Sequence, residues 1–149
     1  MEISIRAFVE VDFDELVAKW HETNLVSYRY NAVQQSHTLA DARHFFRTRV
    51  LPACEVFVAT RVDQRVGVLV LEAPWIRQFA VFPEWQRRGI GSALLGRARE
   101  RSPRELRLFT FQRNDKARAF YEKHGFTAIA FGMSPAPELE PDVEYRWIP

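Results

Sequence analysis

The sequence contains little of what would anchor it in a membrane, cross-link it or build a multi-cysteine metal site. Cys54 is its only cysteine, which excludes an internal disulfide and any zinc site that needs several cysteines. We therefore expect no bound metal, and we expect Cys54 to be a small, buried or half-buried apolar residue. The longest uncharged apolar runs, such as residues 66–71, are far too short to span a bilayer, and the first residues lack the basic-then-apolar layout of a signal peptide. These absences favour a cytoplasmic protein without a membrane partner.

The chain also lacks an excess of charge of either sign. Lys and Arg number 21 against 19 Asp and Glu, and the arginines are spread along the whole length rather than gathered in a basic tail. No nucleic-acid partner is therefore expected. The apolar fraction of 47%, with twelve Phe and four Trp, is far above that of disordered chains, and 149 residues fit one domain, covering residues 1–149.

No repeat or low-complexity segment is present, so we predict the fold from hydrophobic periodicity and helix-capping signals. Residues 21–37 have no clear periodicity, and residues 134–142 form a Pro-rich acidic loop. The predicted elements are a strand at 3–6, a helix from Asp12 or Asp14 to Trp20, a helix from Thr38 to about Leu51, strands at 55–60, 66–72 and 75–82, a helix from 90 to about 103, a strand at 106–111, a helix at 114–124, and strands at 126–131 and 143–148. This order implies an α/β fold, a mixed sheet covered by helices on both faces.

A glycine-containing turn lies between the predicted strand at 75–82 and the amphipathic helix that begins near residue 90. At a helix N-terminus several backbone N–H groups have no partner and the helix dipole adds positive charge, so such a turn suits an anion such as pyrophosphate. Glycines would let backbone and phosphate approach closely, and arginines would add donors. Taken alone, the pattern also fits an ordinary Gly-rich turn. The turn reads Gln86-Arg87-Arg88-Gly89-Ile90-Gly91-Ser92.

The next strand-helix unit contains a second pattern, NDKARAFYEKHGF, from Asn114 to Phe126. The pair of motifs, QxxGxG opening a helix and then NxxAxxFYEKxGF, resembles the two cofactor motifs of the Gcn5-related N-acetyltransferases, the GNAT family. The close resemblance covers residues 75–127, whereas the N-terminal third contains no motif that we recognise. It implies a single-domain acyl-CoA N-acyltransferase fold with a mostly antiparallel sheet, a splayed central parallel pair, and acetyl-CoA as cosubstrate.

The resemblance also implies which residues meet the cofactor. In that family the strand before the first motif is bulged and splayed, and the pantetheine arm of CoA pairs with its backbone; here these positions are Phe79, Ala80 and Val81. One of these N–H groups would point at the thioester carbonyl, where negative charge develops. Asn114 is either a plain helix cap or a cofactor contact, and both roles can hold together. The pyrophosphate would meet the amides of Arg87, Arg88, Gly89, Ile90, Gly91 and Ser92, and the other phosphates Lys116 and Arg118.

For catalysis the resemblance points to Tyr121 as the general acid, because a phenol within hydrogen-bond reach can protonate the departing thiolate. Without the motif, Tyr121 would be an aromatic on the inner face of a helix. The glutamate base of the histone-acetylating branch is absent, since Trp75 occupies that position. By residue type the candidate bases are Glu72, Glu84, His21 and His37, each with a plain surface or structural alternative, or else a relayed water; His44 and His124 are expected on helix surfaces.

The acceptor site in this fold is built by the first two helices and by the loop before the last strand. Aromatic faces beside carboxylates would suit a cationic amine, although an acidic Pro-rich loop is also compatible with a plain solvated segment. The sequence supplies Trp20, His21, Tyr28 and Tyr30 on one side and Glu138, Glu140 and Asp142 on the other.

The resemblance therefore implies transfer of an acetyl group from acetyl-CoA to a primary amine of a small molecule or a peptide. A non-catalytic acyl-CoA-binding or regulatory module on the same fold is the alternative, against which the presence of Tyr121 argues. A mononucleotide kinase would need Gly-x-x-x-x-Gly-Lys-Ser/Thr, which the sequence lacks. The exposed first and last strands are compatible with a homodimer.

Overall fold

A seven-stranded mixed sheet with helices on both faces forms the computed structural model, which describes residues 2–149. The strand order is β1-β2-β3-β4-β5-β7-β6, antiparallel except where β4 lies beside β5. The predicted α/β class is thus confirmed. The strands are β1 Ser4–Ala7, β2 Glu55–Arg61, β3 Gln64–Glu72, β4 Trp75–Val81, β5 Leu106–Phe111, β6 Thr127–Met133 and β7 Pro141–Trp147. The helices are α1 Phe13–Ser27, α2 Ala32–Ser36, α3 Leu39–Phe45, α4 Ile90–Arg101 and α5 Asp115–Lys123.

Helix α1 is one place where the sequence prediction was wrong. It was expected to end at Trp20, and it continues for two more turns to Ser27, where the amide of Tyr28 donates to the carbonyl of Asn24. The added turns have no apolar stripe. Their buried residue is Thr23, whose hydroxyl donates to the carbonyl of Lys19 at 2.8 Å. Hydrophobic periodicity cannot detect a helix whose inner face is polar.

Helix α2 was also missed within residues 21–37, so three helices rather than two connect β1 to β2. Its start is fixed by the side chain of Asn31, whose Oδ1 accepts from the amide of Gln34 at 3.0 Å. The predicted capping box at the start of α3 is confirmed: the Thr38 hydroxyl accepts from the amide of Asp41, and the Asp41 carboxylate accepts from the amide of Thr38. Residues Phe46–Val50 continue α3 as a wider π-helical turn.

Two hydrophobic clusters occupy the two faces of the sheet, because successive side chains of a strand point to opposite faces. Val56 and Val58 of β2 pack under α1 and α3, whereas Phe57 and Ala59 pack with α4 and α5. The two clusters together hold the sheet between its helical layers. In the middle of the sheet, β4 and β5 are the strands that can separate.

A buried carboxylate ties the segment before α1 to the sheet. Asp12 is fully buried and accepts from the guanidinium groups of Arg6, at 2.7 and 2.8 Å, and Arg65, at 2.8 Å, and from the amide of Val9 at 2.8 Å. Burial alone would raise the pKa of Asp12, but these hydrogen bonds outweigh it and hold the pKa below its ordinary value of 3.8. Asp12 therefore stabilises the fold at pH values above 3.8, and this contribution is lost as the pH falls towards its lowered pKa in the folded protein.

We expect Asp12→Asn to lower the free energy of unfolding by about 3 kcal/mol near pH 7, because it leaves two guanidinium groups without their buried partner. Denaturant unfolding of both proteins measures the difference. Asp14→Asn is the matched control, since Asp14 is exposed and its partner Arg43 is half-exposed, and such a pair contributes less than about 1 kcal/mol. Equal losses in the two variants would contradict this account of Asp12.

Candidate functional site

The sheet is split between β4 and β5. These parallel neighbours share a single register pair, Trp75 opposite Arg107, where the amide of Arg107 donates to the carbonyl of Pro74 at 2.8 Å. At this closed end the Trp75 indole stacks on the Phe109 ring, with 5.3 Å between centroids. Beyond it, no further β4–β5 pair occurs within residues 2–149. The facing backbone groups are therefore open to a ligand, as the family resemblance implied.

A β-bulge bends β4 where the split begins. On β3, Val70 lies opposite Gln78 and the next residue, Leu71, lies opposite Ile76, so Arg77 is the extra residue of β4. A bulge bends its strand and increases the local twist, which turns the following residues of β4 away from β5. The bulge was implied by the family resemblance alone, because residues 75–81 contain neither a glycine nor a proline that would mark it.

The split opens into a cleft of about 1130 Å³. This volume exceeds the range of about 300–1,000 Å³ that is usual for small-molecule pockets, so the cleft suits a long ligand. One wall is β4, a second is the N-terminus of α4 with the inner face of α5, and a third is the C-terminal end of α1. Among the residues lining it are Thr23, Asn24, Tyr28, Phe79, Ala80, Val81, Arg87, Gly89, Ile90, Gly91, Ser92, Asn114, Lys116, Tyr121 and His124.

The cleft therefore brings together most of the predicted cofactor residues, with two exceptions. Arg88 lies outside the lining, with its guanidinium 5.0 Å from the centre of the Trp85 ring. Arg118 also lies outside, because its Nε donates to the buried hydroxyl of Tyr145 at 3.0 Å. The guanidinium groups of both arginines thus lie outside the cleft lining, and that of Arg118 joins α5 to β7.

Glycine is required at two positions of the α4 turn, for a different physical reason at each. Gly89 caps α4 in the left-handed region, at φ 83°, where a side chain would be strained although nothing lies within 4 Å of its Cβ position. Gly91 instead packs closely, because a Cβ there would lie 3.0 Å from the Phe120 ring. The turn thus combines one conformational and one steric requirement, and the first residues of α4 line the cleft.

Val81 at the end of β4 is tied to the same turn. Its carbonyl accepts from the Nε2 of Gln86 at 2.9 Å. The side chain of Gln86, the first residue of the QxxGxG motif, thus holds the turn against the strand that lines the cleft. Asn114 caps α5, since its Oδ1 accepts from the amide of Ala117 at 3.2 Å, and it also lines the cleft. Both of the roles expected for Asn114 are therefore open to it.

His124 lies at the cleft wall rather than on a plain helix surface, which corrects the expectation for this residue. Its Nε2 is 2.8 Å from the Ser92 hydroxyl and its Nδ1 is 2.8 Å from the carbonyl oxygen of Phe120. A carbonyl can only accept, so Nδ1 carries a proton, and in the neutral ring Nε2 accepts from Ser92. His124 thereby links the C-terminus of α5 to the N-terminus of α4. The sequence signal for this position was its spacing of four residues from Phe120, which places the two side chains on the same face of the helix.

Tyr121 is both a core aromatic and a residue of the cleft. Its ring packs against Phe79, Phe126 and Tyr145, at centroid distances of 6.0, 5.4 and 6.2 Å, and the residue is buried. Burial, with a smaller contribution from the neighbouring phenol of Tyr28, raises the pKa of Tyr121 above its ordinary value of 10.0. The phenol is therefore neutral at physiological pH and can donate a proton.

None of the four candidate bases lies in the cleft lining. Glu72 accepts from Arg77 at 3.0 Å, and Glu84 lies 3.9 Å from Lys19 on the surface. His21 and His37 lie outside the cleft as well. Glu72 and Glu84 are exposed, whereas His21 and His37 are half-buried.

The residues predicted to bind the acceptor differ in whether they line the cleft. Trp20 is a core residue stacked on Phe45, whereas Tyr28 lines the cleft and Tyr30, whose buried hydroxyl has no partner, lies outside it. The reading of the acidic loop as a solvated segment is wrong for Glu140 and Asp142, which are only 4% and 8% exposed.

Glu140 has a structural role. Both of its carboxylate oxygens accept from the guanidinium of Arg113, at 2.9 and 3.0 Å, and Asn31 adds a hydrogen bond at 3.2 Å. The Arg113 interaction holds the pKa of Glu140 below its usual range. This carboxylate thus fastens the loop before β7 to the segment before α2, and it is already neutralised by a protein cation.

Neither a metal site nor a membrane span is found in the part of the chain that the structure describes. Residues 2–149 contain no cluster of three or more His, Cys, Asp or Glu side chains placed to hold a metal ion. No helix in this range is long and apolar enough to cross a membrane.

Sequence comparison supplies one family match. Residues 52–128, just over half of the chain, match the family model described as acetyltransferase (GNAT) domain. None of the curated proteins matches the chain.

Solved structures resemble the whole chain. The solution structure of apo YjaB from Escherichia coli has a TM-score of 0.82 and 25% identity, covering 99% of this chain and 98% of that one. A GCN5-related N-acetyltransferase from Rhodopseudomonas palustris has a TM-score of 0.83 and 20% identity, covering 100% and 99%. Spermidine N-acetyltransferase from Vibrio cholerae, in complex with CoA and spermine, has a TM-score of 0.73 and 17% identity, covering 98% and 95%.

Proposed function

The chain belongs to the acetyltransferase (GNAT) domain family, and on this premise we propose that it moves an acetyl group from acetyl-CoA to a primary amine of a small molecule or a protein. The observation that carries the proposal is the split between β4 and β5, which opens into one cleft bordered by both the N-terminus of α4 and Tyr121. An anion site and a proton donor therefore face the same space.

The cofactor would lie along this cleft. Its pyrophosphate would meet the amides of the first turn of α4, because they are unpartnered and at the positive end of the helix dipole. Its pantetheine arm would lie along Phe79, Ala80 and Val81, beside the edge of β4 that β5 leaves unpaired. Lys116 lines the cleft and would place its cation near the remaining phosphate. The amide of Arg88 stays in the proposed set, although the guanidinium groups of Arg88 and Arg118 lie outside the cleft lining.

The chemistry follows from direct attack in a ternary complex. The lone pair of the amine forms a bond to the thioester carbonyl carbon, and the carbonyl oxygen becomes negative. A backbone N–H of β4 aimed at this oxygen would stabilise it without reorganisation. Collapse of the intermediate breaks the carbon–sulfur bond, the Tyr121 hydroxyl donates its proton to the thiolate, and the proton released by the amine nitrogen passes to solvent. The phenolate is then reprotonated from water.

The choice of an amine as acceptor is supported by a structural neighbour. The spermidine N-acetyltransferase from Vibrio cholerae, which shares the fold, is in complex with CoA and spermine. Fold likeness at 17% identity does not transfer spermine itself to this chain, but it supports amines as the class to be screened.

Saturating acetyl-CoA is expected to raise the thermal midpoint of unfolding by about 5–10 °C. A ligand at about a hundred times its dissociation constant adds about 2.7 kcal/mol, and a domain of this size gains about 2–4 °C per kcal/mol. Differential scanning fluorimetry measures the shift, with ATP and NAD as controls that also contain a pyrophosphate. No shift with acetyl-CoA, or an equal shift with all three ligands, would contradict the proposed cofactor.

A further inference from the structure

A small recess borders the cleft on the α1 side of the sheet. It has a volume of about 80 Å³ and is lined by Tyr28, Phe109, Thr110, Phe111 and Asp142. Tyr28, Phe109 and Thr110 also line the large cleft, so the two cavities share a wall. The recess is thus on the opposite side of the split from the anion-binding turn of α4, where an acceptor would have to approach.

Asp142 is placed in this recess by the register of β7. Val143 and Tyr145 point into the core under α5, so Asp142 points to the other face of the sheet. It lies opposite Phe111 on β5 and opposite Gly132 on β6. Its backbone is fixed, because its carbonyl accepts from the Nε2 of Gln112 at 2.9 Å.

The carboxylate of Asp142 is buried without a cation. The residue is only 8% exposed, and within residues 2–149 no Lys, Arg or His side chain pairs with it. The acidic residues on either side of it differ, since Glu140 in the loop before β7 is paired with Arg113 and Glu144 on β7 is paired with Arg107. Of the acidic side chains at this end of the sheet, Asp142 is therefore the buried one that still lacks a counter-ion.

Such a carboxylate is unstable in its charged form. Burial, with the nearby charge of Glu144, raises the pKa of Asp142 above its ordinary value of 3.8. A buried charge normally requires a partner, and a cation entering the recess would supply it. The empty recess thus favours a positively charged ligand group over a neutral or negative one.

The remaining walls suit the same ligand. The rings of Tyr28 and Phe111 meet edge to face, with 5.3 Å between centroids, and Phe109 is 54% exposed where it stacks on Trp75. Aromatic rings attract ammonium groups through their quadrupoles and pack against the methylene groups that bear them. Three rings and one carboxylate around about 80 Å³ leave room for an ammonium group and a short stem.

We propose that this recess binds the ammonium group of the acceptor, with Asp142 as its counter-ion and Tyr28, Phe109 and Phe111 as its aromatic walls. The inference rests on the proposed function, and it narrows the acceptor class to primary amines that are cationic in solution and borne on an unbranched aliphatic stem. The bound ammonium group gives one proton to solvent before the nitrogen lone pair attacks the thioester. Glu140 takes no part, because Arg113 already neutralises it.

The test measures amine binding separately from catalysis. Butylammonium chloride is titrated into protein saturated with CoA, at constant ionic strength, and its dissociation constant is determined by ligand-observed NMR. Asp142→Asn is expected to weaken binding at least about tenfold, because it removes the charge and keeps the shape. Asp63→Asn, the same change in the exposed turn before β3, is expected to leave binding unchanged. Butanol, which has the same stem without the charge, is expected not to bind.

Asp142→Asn is expected to remain folded, since it removes an unpaired buried charge rather than one member of a pair, and its thermal midpoint verifies this. Equal affinity of butylammonium for wild type and Asp142→Asn would overturn the proposal, as would wild type that binds CoA but not butylammonium. The cofactor claim fails by a different result, namely no stabilisation by acetyl-CoA. The same titration without cofactor then still tests the recess on its own.

Discussion

Tyr121→Phe is expected to lower kcat at least about a hundredfold while changing the affinity for acetyl-CoA less than about twofold. The phenol of Tyr121, which lines the cleft, is the proposed proton donor to the departing thiolate, and general acid catalysis contributes about 10²–10⁴-fold. The variant keeps the ring that packs against Phe79 and Phe126, so the cleft should keep its shape. Steady-state release of the CoA thiol gives kcat, and the thermal shift with acetyl-CoA reports binding.

Tyr30→Phe is the matched control for this experiment. It removes the same hydroxyl from a half-buried tyrosine that lies outside the cleft lining and whose buried hydroxyl has no partner. We expect its kcat and its thermal midpoint to equal those of wild type. If Tyr121→Phe also retained the wild-type kcat, Tyr121 would be only a core aromatic and the general acid would have to be another group.

Ser92→Asp is expected to weaken acetyl-CoA binding about a hundredfold without destabilising the fold. The new carboxylate would stand in the first turn of α4 beside the proposed pyrophosphate site, and like charges about 5 Å apart at the protein surface repel by about 3 kcal/mol. The same carboxylate at a helix N-terminus interacts favourably with the helix dipole, by about 0.3–1 kcal/mol, which offsets the loss of the hydrogen bond from the Ser92 hydroxyl to His124. Cofactor affinity should therefore fall while the free energy of unfolding stays within about 1 kcal/mol of the wild-type value, and calorimetric titration together with denaturant unfolding measures both.

Ala93→Asp supplies the comparison for Ser92→Asp. It puts the same charge into the same turn of α4, but Ala93 is exposed and does not line the cleft. A similar gain of helix stability with a much smaller loss of cofactor affinity is expected. Equal losses of affinity in the two variants would mean that only the overall charge matters, and unchanged affinity in Ser92→Asp would place the pyrophosphate elsewhere.

The strand, turn and helix on one side of the cleft were predictable from the sequence because their signals are local, whereas the cofactor contacts proposed for them came from the family resemblance. A strand, a turn with Gly89 and Gly91, and a helix follow one another within twenty-odd residues, and each has a conformational signal of its own. The side chain of Arg118 could not be placed in this way, because its partner, the Tyr145 hydroxyl, is 27 residues away and only the fold brings it within reach. The ring beside Arg88, by contrast, belongs to its near neighbour Trp85.

The acceptor side was not predictable to the same degree. The last two turns of α1 lack an apolar stripe because Thr23 and Asn24 line the cleft. The end of the helix that hydrophobic periodicity predicted is therefore too early. The three acidic residues of the loop look equivalent in sequence. Which of them is neutralised is decided by contacts between distant segments, such as that of Arg113 with Glu140. Spacing along the chain contains no information on such pairing.

Incubation of the protein with acetyl-CoA and a panel of primary alkylamines, with both the CoA thiol and the N-acetyl product quantified, tests acetyl transfer itself. Both products are expected in equal amounts, only when an amine is present, and the rate is expected to fall at least about a hundredfold in Tyr121→Phe. Acetyl-CoA that stabilises the protein but yields no amide with any amine of the panel would contradict the transferase assignment and favour a non-catalytic acyl-CoA-binding module.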